Sequence, residues 1–484
     1  MKTLGELFDL GDVHRTLQVM DLCDNSQNIT VPKSMFVALN RNLENRKNHV
    51  AEAISRGAEY ILQGGEGNYL EIRDGILFLF TPNVRIKLAN IAAKFFLSRF
   101  DNAVAVTGTN GKSSVVDILR QIWVGSGIAA ASIGTLGVIT KDTRSNLPHN
   151  MTTPDCLTLH KILHRLGANM IENIALEATS HGIEQRRLDE IGFNVCAFTN
   201  LTQDHLDHHK TFEKYWNAKA RLFTELALGQ STFIVNADDS HSQRIREIAR
   251  NRGVDYLDYG YSATNVKIIH IDQKESVQLV KCSFFGKEFT FVLPLQGTFQ
   301  VYNSLCSAAI AHITGVARER AVEELEKLKP INGRLELIAK FRSASIYTDY
   351  AHTPDALENA IASLRSHTKN RLITVFGCGG NRDSQKRPLM GEIAEKFADL
   401  VIVTDDNPRD EDPWQIRKMI LEGCSRATEI GDRRTAIKTA MEMLSEGDTL
   451  LVSGKGHETY QQIGEKLLVF SDKDVILDRL KEKQ

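Results

Sequence analysis

The fold is decided by a short apolar run, Ala103-Val104-Ala105-Val106, and the segment after it, Thr107-Gly108-Thr109-Asn110-Gly111-Lys112-Ser113-Ser114. The run predicts a buried strand, and the glycine-rich turn can point its backbone N–H groups at an anion. Residues 113–123 predict a helix whose positive N-terminal dipole faces the same anion. Because the lysine suits phosphates and the Ser113 hydroxyl suits Mg²⁺, the sequence predicts a nucleoside triphosphate as ligand.

Strict phosphate-loop spacing requires a glycine where this chain has Val106, so the segment is a variant of that loop. The alternative is a plain strand-to-helix turn. Such a turn needs neither Gly108 nor the Gly111-Lys112-Ser113 sequence, which favours the phosphate loop.

Length and charge limit the class of protein. At 484 residues the chain predicts two to four domains, since domains usually have roughly 100–200 residues. The formal net charge is -2, from 59 basic and 61 acidic residues, which gives no support to nucleic-acid or membrane-surface binding. The 7 cysteines lack the paired spacing of zinc sites and predict reduced thiols. Without a signal peptide or membrane span, a cytoplasmic protein is expected.

Strand-length apolar runs alternate with helical patterns along the chain, which predicts an α/β fold with parallel sheets. Turn-forming residues near position 82 and at residues 330–334 divide the chain into three predicted domains, 1–85, 86–333 and 334–484. The central domain carries the phosphate loop, and the C-terminal domain is predicted to be Rossmann-like.

Polar side chains follow the predicted strands. The strands near residues 174–176, 195–198, 233–235, 346–348, 373–376, 401–403 and 450–452 each run directly into polar or glycine-rich segments. Open α/β sheets bind ligands beyond the carboxyl ends of their strands. Two such groups of strands predict an active site between two domains.

The residues alone indicate a role for Glu177 but leave those of His205 and Lys219 open. Glu177 suits Mg²⁺, whereas His205 could be a metal ligand or hydrogen-bonded scaffolding. Lys219 lies in a predicted amphipathic helix at residues 215–223, where a lysine is usually solvated.

Eight motifs occur in an order that resembles the Mur ligase family. They are Thr107–Ser113, Thr152-Thr153-Pro154-Asp155, Glu177-Ala178-Thr179-Ser180-His181-Gly182, Phe198-Thr199-Asn200 with Asp204-His205-Leu206-Asp207, Asn236-Ala237-Asp238-Asp239, Gly333-Arg334-Leu335-Glu336, Asp349-Tyr350-Ala351-His352-Thr353-Pro354-Asp355 and Gly454-Lys455-Gly456-His457-Glu458. The resemblance implies an ATP-dependent amide-forming ligase of peptidoglycan synthesis, with a first domain that binds a UDP-sugar.

The resemblance also implies site residues. ATP would be bound by Thr107, Gly108, Thr109, Asn110, Gly111, Lys112, Ser113, Ser114, Asn303, Arg334 and Asp349. Catalysis would depend on Lys112, Glu177, His205 and Lys219, and Mg²⁺ would be held by Ser113, Glu177, His205 and Lys219. Lys219 matches the lysine that the family carbamylates, a modification that converts a cation into a carboxylate-like anion.

Substrate residues follow from the same resemblance. Thr152, Thr153, Ser180, Gln185 and Arg187 match positions that hold the muramoyl dipeptide. The tetrad Asp406-Asn407-Pro408-Arg409 resembles the signature of members that add meso-2,6-diaminopimelate to UDP-N-acetylmuramoyl-L-alanyl-D-glutamate, and Arg382, Gly454 and Glu458 match the same amino-acid pocket. An arginine can bind the distal carboxylate, which lysine lacks. Without the resemblance, the tetrad could be an ordinary Asx-Pro turn.

The first domain departs from the family pattern. Ser26-Gln27-Asn28 replaces the usual Asp-Ser-Arg, Lys33-Ser34-Met35-Phe36 replaces a Gly-Asp-x-Phe segment, and Asn45-Arg46 replaces Asp-Gly. These positions usually contact the uridine diphosphate, so altered affinity for the UDP-sugar is expected.

Three other functions are alternatives: a ligase that adds L-lysine, a ligase like folylpolyglutamate synthase, and a nucleotide-binding regulatory protein without turnover. The tetrad argues against the first two, and the presence of Lys112, Glu177, His205 and Lys219 argues against the third. A monomer is expected.

Overall fold

The computed structural model describes residues 2–8, 16–40, 42–141, 143–144, 151–274 and 277–482. The chain forms two compact units. The first unit comprises Met1–Ala105, Ile128–Cys196 and Ala218–Ser231, and the second comprises Val106–Gly127, Ala197–Asn217 and Thr232–Gln484. The domain boundaries predicted at residues 85 and 333 stay predictions.

Helices and strands are numbered in chain order. Up to residue 125 they are β1 Lys2–Thr3, α1 Leu4–Leu7, β2 Gln18–Val19, β3 Leu22–Cys23, β4 Ser34–Val37, α2 Leu43–Ser55, β5 Ala58–Gly64, β6 Tyr69–Arg73, β7 Ile76–Thr81, α3 Val84–Phe95, β8 Asn102–Thr107 and α4 Lys112–Gly125. From residue 130 to 260 they are β9 Ala130–Gly134, β10 Gly137–Thr140, β11 Thr143–Arg144, α5 Cys156–Ala168, β12 Asn173–Glu177, α6 Ser180–Glu184, β13 Phe193–Phe198, α7 Leu206–His209, α8 Phe212–Arg221, β14 Ala227–Asn236, α9 Ser242–Arg252 and β15 Asp255–Gly260.

The remaining elements lie in the second unit. They are β16 Val266–Gln273, β17 Gln278–Phe284, β18 Lys287–Leu293, α10 Thr298–Ile313, α11 Arg318–Glu323, β19 Glu336–Phe341, β20 Ala344–Asp349, α12 Pro354–Arg365, β21 Leu372–Phe376, α13 Lys386–Phe397, β22 Leu400–Val403, α14 Pro413–Leu421, β23 Thr428–Glu429, α15 Arg433–Glu442, β24 Thr449–Ser453, β25 Tyr460–Ile463, β26 Lys466–Val469 and α16 Asp472–Lys481.

The first unit contains a five-stranded sheet of order β3-β4-β5-β7-β6. Its pairings are parallel except that β6 runs antiparallel to β7. The same unit pairs β9 in parallel with β12. Apolar side chains from the five-stranded sheet form two buried clusters, one of which also includes Leu88 and Ile91 of α3.

The second unit contains a six-stranded sheet of order β19-β20-β24-β21-β22-β23, in which β19 is antiparallel to β20 and the other pairs are parallel. Strand β21 shows why this sheet is buried on both faces. Leu372 and Phe376 contribute to one core cluster, whereas Ile373 and Val375 contribute to the other. Because side chains alternate along a strand, a continuous apolar run fills both faces.

The predicted α/β class with parallel sheets is confirmed. Strands β21 and β22 end where the apolar runs predicted, and β20 and β24 end one residue later, at Asp349 and Ser453. Their parallel pairing brings the following polar segments to one edge of the sheet. The helix predicted at residues 113–123 is α4, which extends to Gly125. The helix predicted at 215–223 begins earlier, at Phe212, and passes into a π-helical turn at Leu222–Leu226.

The seven cysteines are buried free thiols, as the sequence predicted. Among the described residues, no helix combines the length and the apolar content needed to cross a bilayer.

Candidate active site

The phosphate-loop segment has the backbone that its glycines predict. Gly111 caps α4 with a φ of 88°, and Gly108 has a φ of 147°. A Cβ atom on Gly108 would lie 1.9 Å from Thr199 Oγ1, so any other residue at this position would displace the Thr199 side chain. The plain-turn alternative gives no reason for this close approach.

The loop is held in place by the segment that follows β13. The N–H of Asn110 donates to Asn200 Oδ1 at 2.9 Å, and Thr199 Oγ1 donates to the Asn110 carbonyl at 2.6 Å. The N–H of Thr109 donates to the carbonyl of Asn200 at 2.9 Å. These bonds fix the loop backbone before any ligand binds, which lowers the cost of ordering it.

Lys112 folds back over the loop. Its Nζ donates to the carbonyls of Gly108 and Thr109 at 2.9 and 2.7 Å. The next residue, Ser113, is buried, and its Oγ accepts a bond from Arg334 Nη2 at 2.7 Å. Two cationic side chains thus lie at the N-terminus of α4, where the helix dipole also favours an anion.

A cavity of about 360 Å³ adjoins the loop within the second unit. Its lining includes six of the predicted nucleotide residues: Asn110, Gly111, Ser114, Asn303, Arg334 and Asp349. The other predicted nucleotide residues, Thr107, Gly108, Thr109, Lys112 and Ser113, belong to the loop but do not line this cavity. A cavity of this size is typical of small-molecule sites.

Arg334 is the side chain best placed to bind an anion there. Its guanidinium carbon lies 4.7 Å from the centroid of the Tyr350 ring, and its Nε is buried with no hydrogen-bond partner in the described part of the chain. A buried donor without an acceptor is costly, so a bound phosphate oxygen would satisfy it.

Asp349 and Asn303 are positioned by their neighbours. Asp349 accepts bonds from the N–H groups of Leu335 and Ala351 at 2.6 and 2.7 Å. Burial raises the pKa of Asp349 to about 6, although the charge of Arg334 opposes the rise. Asn303 Nδ2 donates to Gln300 Oε1 at 3.0 Å.

Several residues that line the cavity have no role predicted from the sequence. Asn110 Nδ2 donates to Asp355 Oδ2 at 2.8 Å, and Tyr302 donates its hydroxyl to Asp238 Oδ2 at 2.6 Å. Asp238 and Asp355 are both in motifs that carried the family resemblance, but spacing does not reveal these long-range partners.

The first unit brings together the residues predicted to hold the muramoyl dipeptide. Thr153 Oγ1 donates to the Glu177 carbonyl at 2.7 Å, and Thr152 Oγ1 lies 3.0 Å from Thr135 Oγ1. Arg187 donates to the Thr153 carbonyl at 2.7 Å and to Gln185 Oε1 at 2.8 Å. Ser180 begins α6 and is buried.

Glu177 ends β12 and is 2% exposed. Its Oε1 accepts the N–H of Thr135 at 2.7 Å, and its Oε2 lies 3.2 Å from Thr135 Oγ1. Lys219, in the same unit, is also 2% exposed. The alternative interpretation that Lys219 is solvated is therefore wrong, because its side chain does not lie on the solvent-facing side of the helix.

His205, in the second unit, has a φ of 56° and a ring Nε2 that lies 3.3 Å from Asp204 Oδ2. Burial opposes ionisation of Asp204, but the charges of His205, Lys386 and His352 outweigh it and hold the pKa of Asp204 well below its usual value. Asp204 accepts the His205 N–H but does not cap α7. Ser113, Glu177, His205 and Lys219 as a common metal-ligand set stay a prediction.

The predicted amino-acid pocket is assembled at the carboxyl edge of the six-stranded sheet. Arg409 donates to the Gly380 carbonyl at 2.8 Å. Burial lowers the pKa of Arg409, and the nearby positive charge of Arg382 lowers it further. A Cβ atom on Gly379 would lie 2.8 Å from Arg409 Nη1, and one on Gly454 would lie 2.7 Å from Asp406 Oδ2. The pocket residues Arg382, Asp406, Asn407, Pro408, Arg409, Gly454 and Glu458 therefore lie in one region of the second unit.

Fold and cavity define an α/β protein with a phosphate loop, and the comparisons identify its family. Residues 106–311 match the model of the Mur ligase middle domain, and residues 333–456 match that of the Mur ligase, glutamate ligase domain. The chain belongs to the Mur ligase family.

Among its relatives, the UDP-N-acetylmuramoyl-L-alanyl-D-glutamate--2,6-diaminopimelate ligase of Chelativorans sp. (strain BNC1) is 42% identical over 99% of both chains. The protein of the same name from Brucella melitensis biotype 1 is 45% identical over 87% of this chain and 86% of the relative. A solved structure of that name is 30% identical, with a TM-score of 0.69 over 100% of this chain and 99% of the other. MurF from Thermotoga maritima, at 17% identity and a TM-score of 0.66, shares the fold.

Proposed function

We propose that the protein is an ATP-dependent ligase that adds meso-2,6-diaminopimelate to UDP-N-acetylmuramoyl-L-alanyl-D-glutamate in peptidoglycan precursor synthesis, in the cytoplasm. The observation that carries the proposal is the cavity of the second unit, where the phosphate loop, Asn303, Arg334 and Asp349 lie together. Relatives with 42–45% identity bear the name of this activity.

The nucleotide fits this cavity in three respects. The loop and the unpartnered Nε of Arg334 supply donors for phosphate oxygens. Asp349 supplies a carboxylate for a ribose hydroxyl, and Asn303 an amide for the adenine edge. We assign ATP binding to the eleven residues named from the sequence, with Lys112 beside the β- and γ-phosphates.

The proposed reaction has two steps. The γ-carboxylate oxygen of the substrate's D-glutamate attacks the γ-phosphorus of ATP, and ADP leaves with the bridging oxygen, which gives an acyl phosphate. An amine of diaminopimelate then attacks the acyl carbon, loses a proton, and expels phosphate to form the amide. Lys112 neutralises charge that develops on the transferred phosphoryl group.

Oxygen donors suited to Mg²⁺ are present in the proposed ligand set. Glu177 supplies a carboxylate and Ser113 a hydroxyl, and carbamylated Lys219 would add a second anionic group beside the less usual ligand His205. When bound, Mg²⁺ would stabilise negative charge on the phosphates. The burial of Lys219 is compatible with this role, since carbamylation would replace the buried ammonium with an anionic group of the kind that Mg²⁺ prefers as a ligand.

The substrate ends are assigned to separate parts of the chain. We propose that residues 1–85 bind the UDP-sugar, residues 86–333 bind ATP, and residues 334–484 bind the amino acid. Thr152, Thr153, Ser180, Gln185 and Arg187 would hold the muramoyl dipeptide. Arg382 and Arg409 would bind the distal carboxylate of diaminopimelate, and Glu458 would bind an ammonium group.

The test is ligation by the purified protein. We expect phosphate release that requires ATP, Mg²⁺, the UDP-linked dipeptide and meso-diaminopimelate together, with a product whose mass equals both substrates minus one water. ATP hydrolysis that is independent of both co-substrates, with no amide product, would contradict the proposal.

A further inference from the structure

A buried lysine without an assigned role lies beside the proposed amino-acid pocket. Lys455 follows β24 and is 0% exposed. Its Nζ donates to Glu458 Oε2 at 2.7 Å and to Asn407 Oδ1 at 3.1 Å. A buried ammonium costs several kcal/mol unless its partners compensate, so this position requires the specific pair of acceptors that it has.

The same contacts fix the orientation of Asn407. Its Oδ1 accepts from Lys455 and also from the N–H of Gln462 at 2.9 Å, while its Nδ2 donates to Glu458 Oε2 at 2.9 Å. An ammonium and a backbone N–H are donors only, so the amide oxygen must face them. The amide of Asn407 therefore points its nitrogen at Glu458.

Glu458 uses one carboxylate oxygen for both of these bonds. Oε2 accepts from Lys455 and from Asn407, whereas no hydrogen bond to Oε1 is recorded among the residues that the structure describes. The arrangement leaves Oε1 to accept from a ligand, with its direction set by the two protein donors.

The charges around Glu458 make its ionisation sensitive to Lys455. Burial raises the pKa of Glu458, the charge of Lys455 lowers it, and Asp406 raises it. Tyr350, Tyr460, Arg409 and Arg433 also interact with Glu458 electrostatically. Lys455 is the cation in direct contact.

We propose that Lys455 is a positioning residue for the amine substrate: it keeps Glu458 ionised and holds Oε1 toward the ammonium group of the incoming diamino acid. Lys455 acts through Glu458 and does not itself contact the substrate. The inference rests on the proposed function, because it concerns the amino-acid pocket of that reaction.

Removal of the Lys455 charge should change how substrate binding depends on pH. A carboxylate binds an ammonium well only when ionised, so the diaminopimelate KM should rise as pH falls through the Glu458 pKa. In Lys455→Met that inflection should move to higher pH by about 1–3 units, the usual effect of losing an adjacent opposite charge. At pH values below both inflections we expect the KM in Lys455→Met to be about 10- to 10³-fold higher than in the wild type, the ratio that such a shift implies, and to recover as pH increases, with the KM for ATP nearly unchanged.

Further variants separate this role from a structural one. Lys455→Arg keeps the charge and should keep the wild-type inflection. Lys455→Gln replaces Lys455→Met if the latter does not fold, as judged by thermal melting. Glu458→Gln should abolish the inflection, and adding Lys455→Met to it should change KM by less than about twofold, because both changes act on one interaction.

The outcomes distinguish the two proposals. Wild-type protein that ligates meso-diaminopimelate, with an unshifted KM profile in folded Lys455→Met or Lys455→Gln, would overturn only the role of Lys455. Additive KM effects in the double variant would overturn it as well. Wild-type protein that forms no amide with meso-diaminopimelate would overturn the proposed function and this inference together.

Discussion

Lys112 carries the phosphate-loop assignment, because its Nζ donates to the loop carbonyls of Gly108 and Thr109. We predict that Lys112→Ala lowers kcat by about 10³-fold or more, since it removes a preorganised charge beside the transferred phosphoryl group. Phosphate-release kinetics measure this. The control is Lys481→Ala, a lysine whose side chain is 77% exposed, which should leave kcat unchanged. Near-normal ligation by a folded Lys112→Ala protein would remove the basis of the assignment.

Lys219 is the residue whose chemistry depends most on burial. We predict that Lys219→Ala is nearly inactive and is partly restored by added formate or acetate, because a short carboxylate can replace the anionic oxygens of a carbamate. Wild-type protein should show no response to the same additives. A fully active Lys219→Ala protein would show that the buried lysine has only a packing role.

Helix α2 contacts one of the segments in which the first domain differs from the family pattern. Ser26 is 2% exposed, and its hydroxyl donates to Glu52 Oε2 of α2 at 2.6 Å. We predict that Ser26→Asp, which restores the family's residue, lowers the melting temperature because it places a carboxylate against Glu52. It should not tighten binding of the UDP-linked dipeptide in calorimetric titration. Gln27→Ser, at an exposed position of the same segment, serves as the control and should melt like wild type. Tighter binding by Ser26→Asp without loss of stability would contradict this explanation.

Helix α5 supplies a pH-dependent contribution to stability. Burial lowers the pKa of His160 from 6.5 to about 4, and its Nε2 has no partner among the described residues. As pH falls from about 6.5 to 4, the unfolded chain gains a proton at this histidine that the native protein does not, so stability decreases over this range. The loss attributable to His160 should approach roughly 3 kcal/mol. We predict that in His160→Leu the free energy of unfolding, measured by chemical denaturation, falls less steeply between pH 6.5 and pH 4 than in the wild type. His164 is an exposed histidine of the same helix, and His164→Leu should keep the wild-type pH dependence. If the free energy of unfolding depended on pH equally in all three proteins, the contribution of His160 would be contradicted.

Much of the fold could be predicted because strand residues are decided by local pattern. The apolar runs at residues 346–348, 373–376, 401–403 and 450–452 lie in parallel strands, and the polar segments after them meet at one edge of the sheet. Helix ends were less predictable, since the start of α8 at Phe212 and its π-helical end depend on packing rather than on local sequence.

Site contacts could be predicted only in part. Arg334 and Asp349, which the family resemblance assigned to ATP, line the cavity beside the phosphate loop, and their binding of ATP stays a prediction. The contact between Asn407 and Lys455 spans 48 positions, and that between Asn110 and Asp355 spans 245, so nothing in the local sequence indicates either. The burial of Lys219 has the same cause, because the neighbours that cover a helix face come from distant segments.

In the whole molecule, the proposed amino-acid pocket is the feature most specific to one substrate. Arg382 and Arg409 lie together beside Asp406 and Glu458, an arrangement suited to a zwitterion with a distal carboxylate. When L-lysine is the substrate, the two arginines have no distal carboxylate to bind. The lost charge-assisted bidentate contact corresponds to about 2–5 kcal/mol of binding free energy.

The most direct measurement is kcat/KM for meso-diaminopimelate and for L-lysine, with the wild-type protein and Arg409→Ala. We predict that the wild type prefers meso-diaminopimelate by about 10²-fold or more. In Arg409→Ala this preference should narrow through a higher diaminopimelate KM, with the ATP KM nearly unchanged. Wild-type protein that ligates L-lysine as efficiently as meso-diaminopimelate would contradict the substrate assignment.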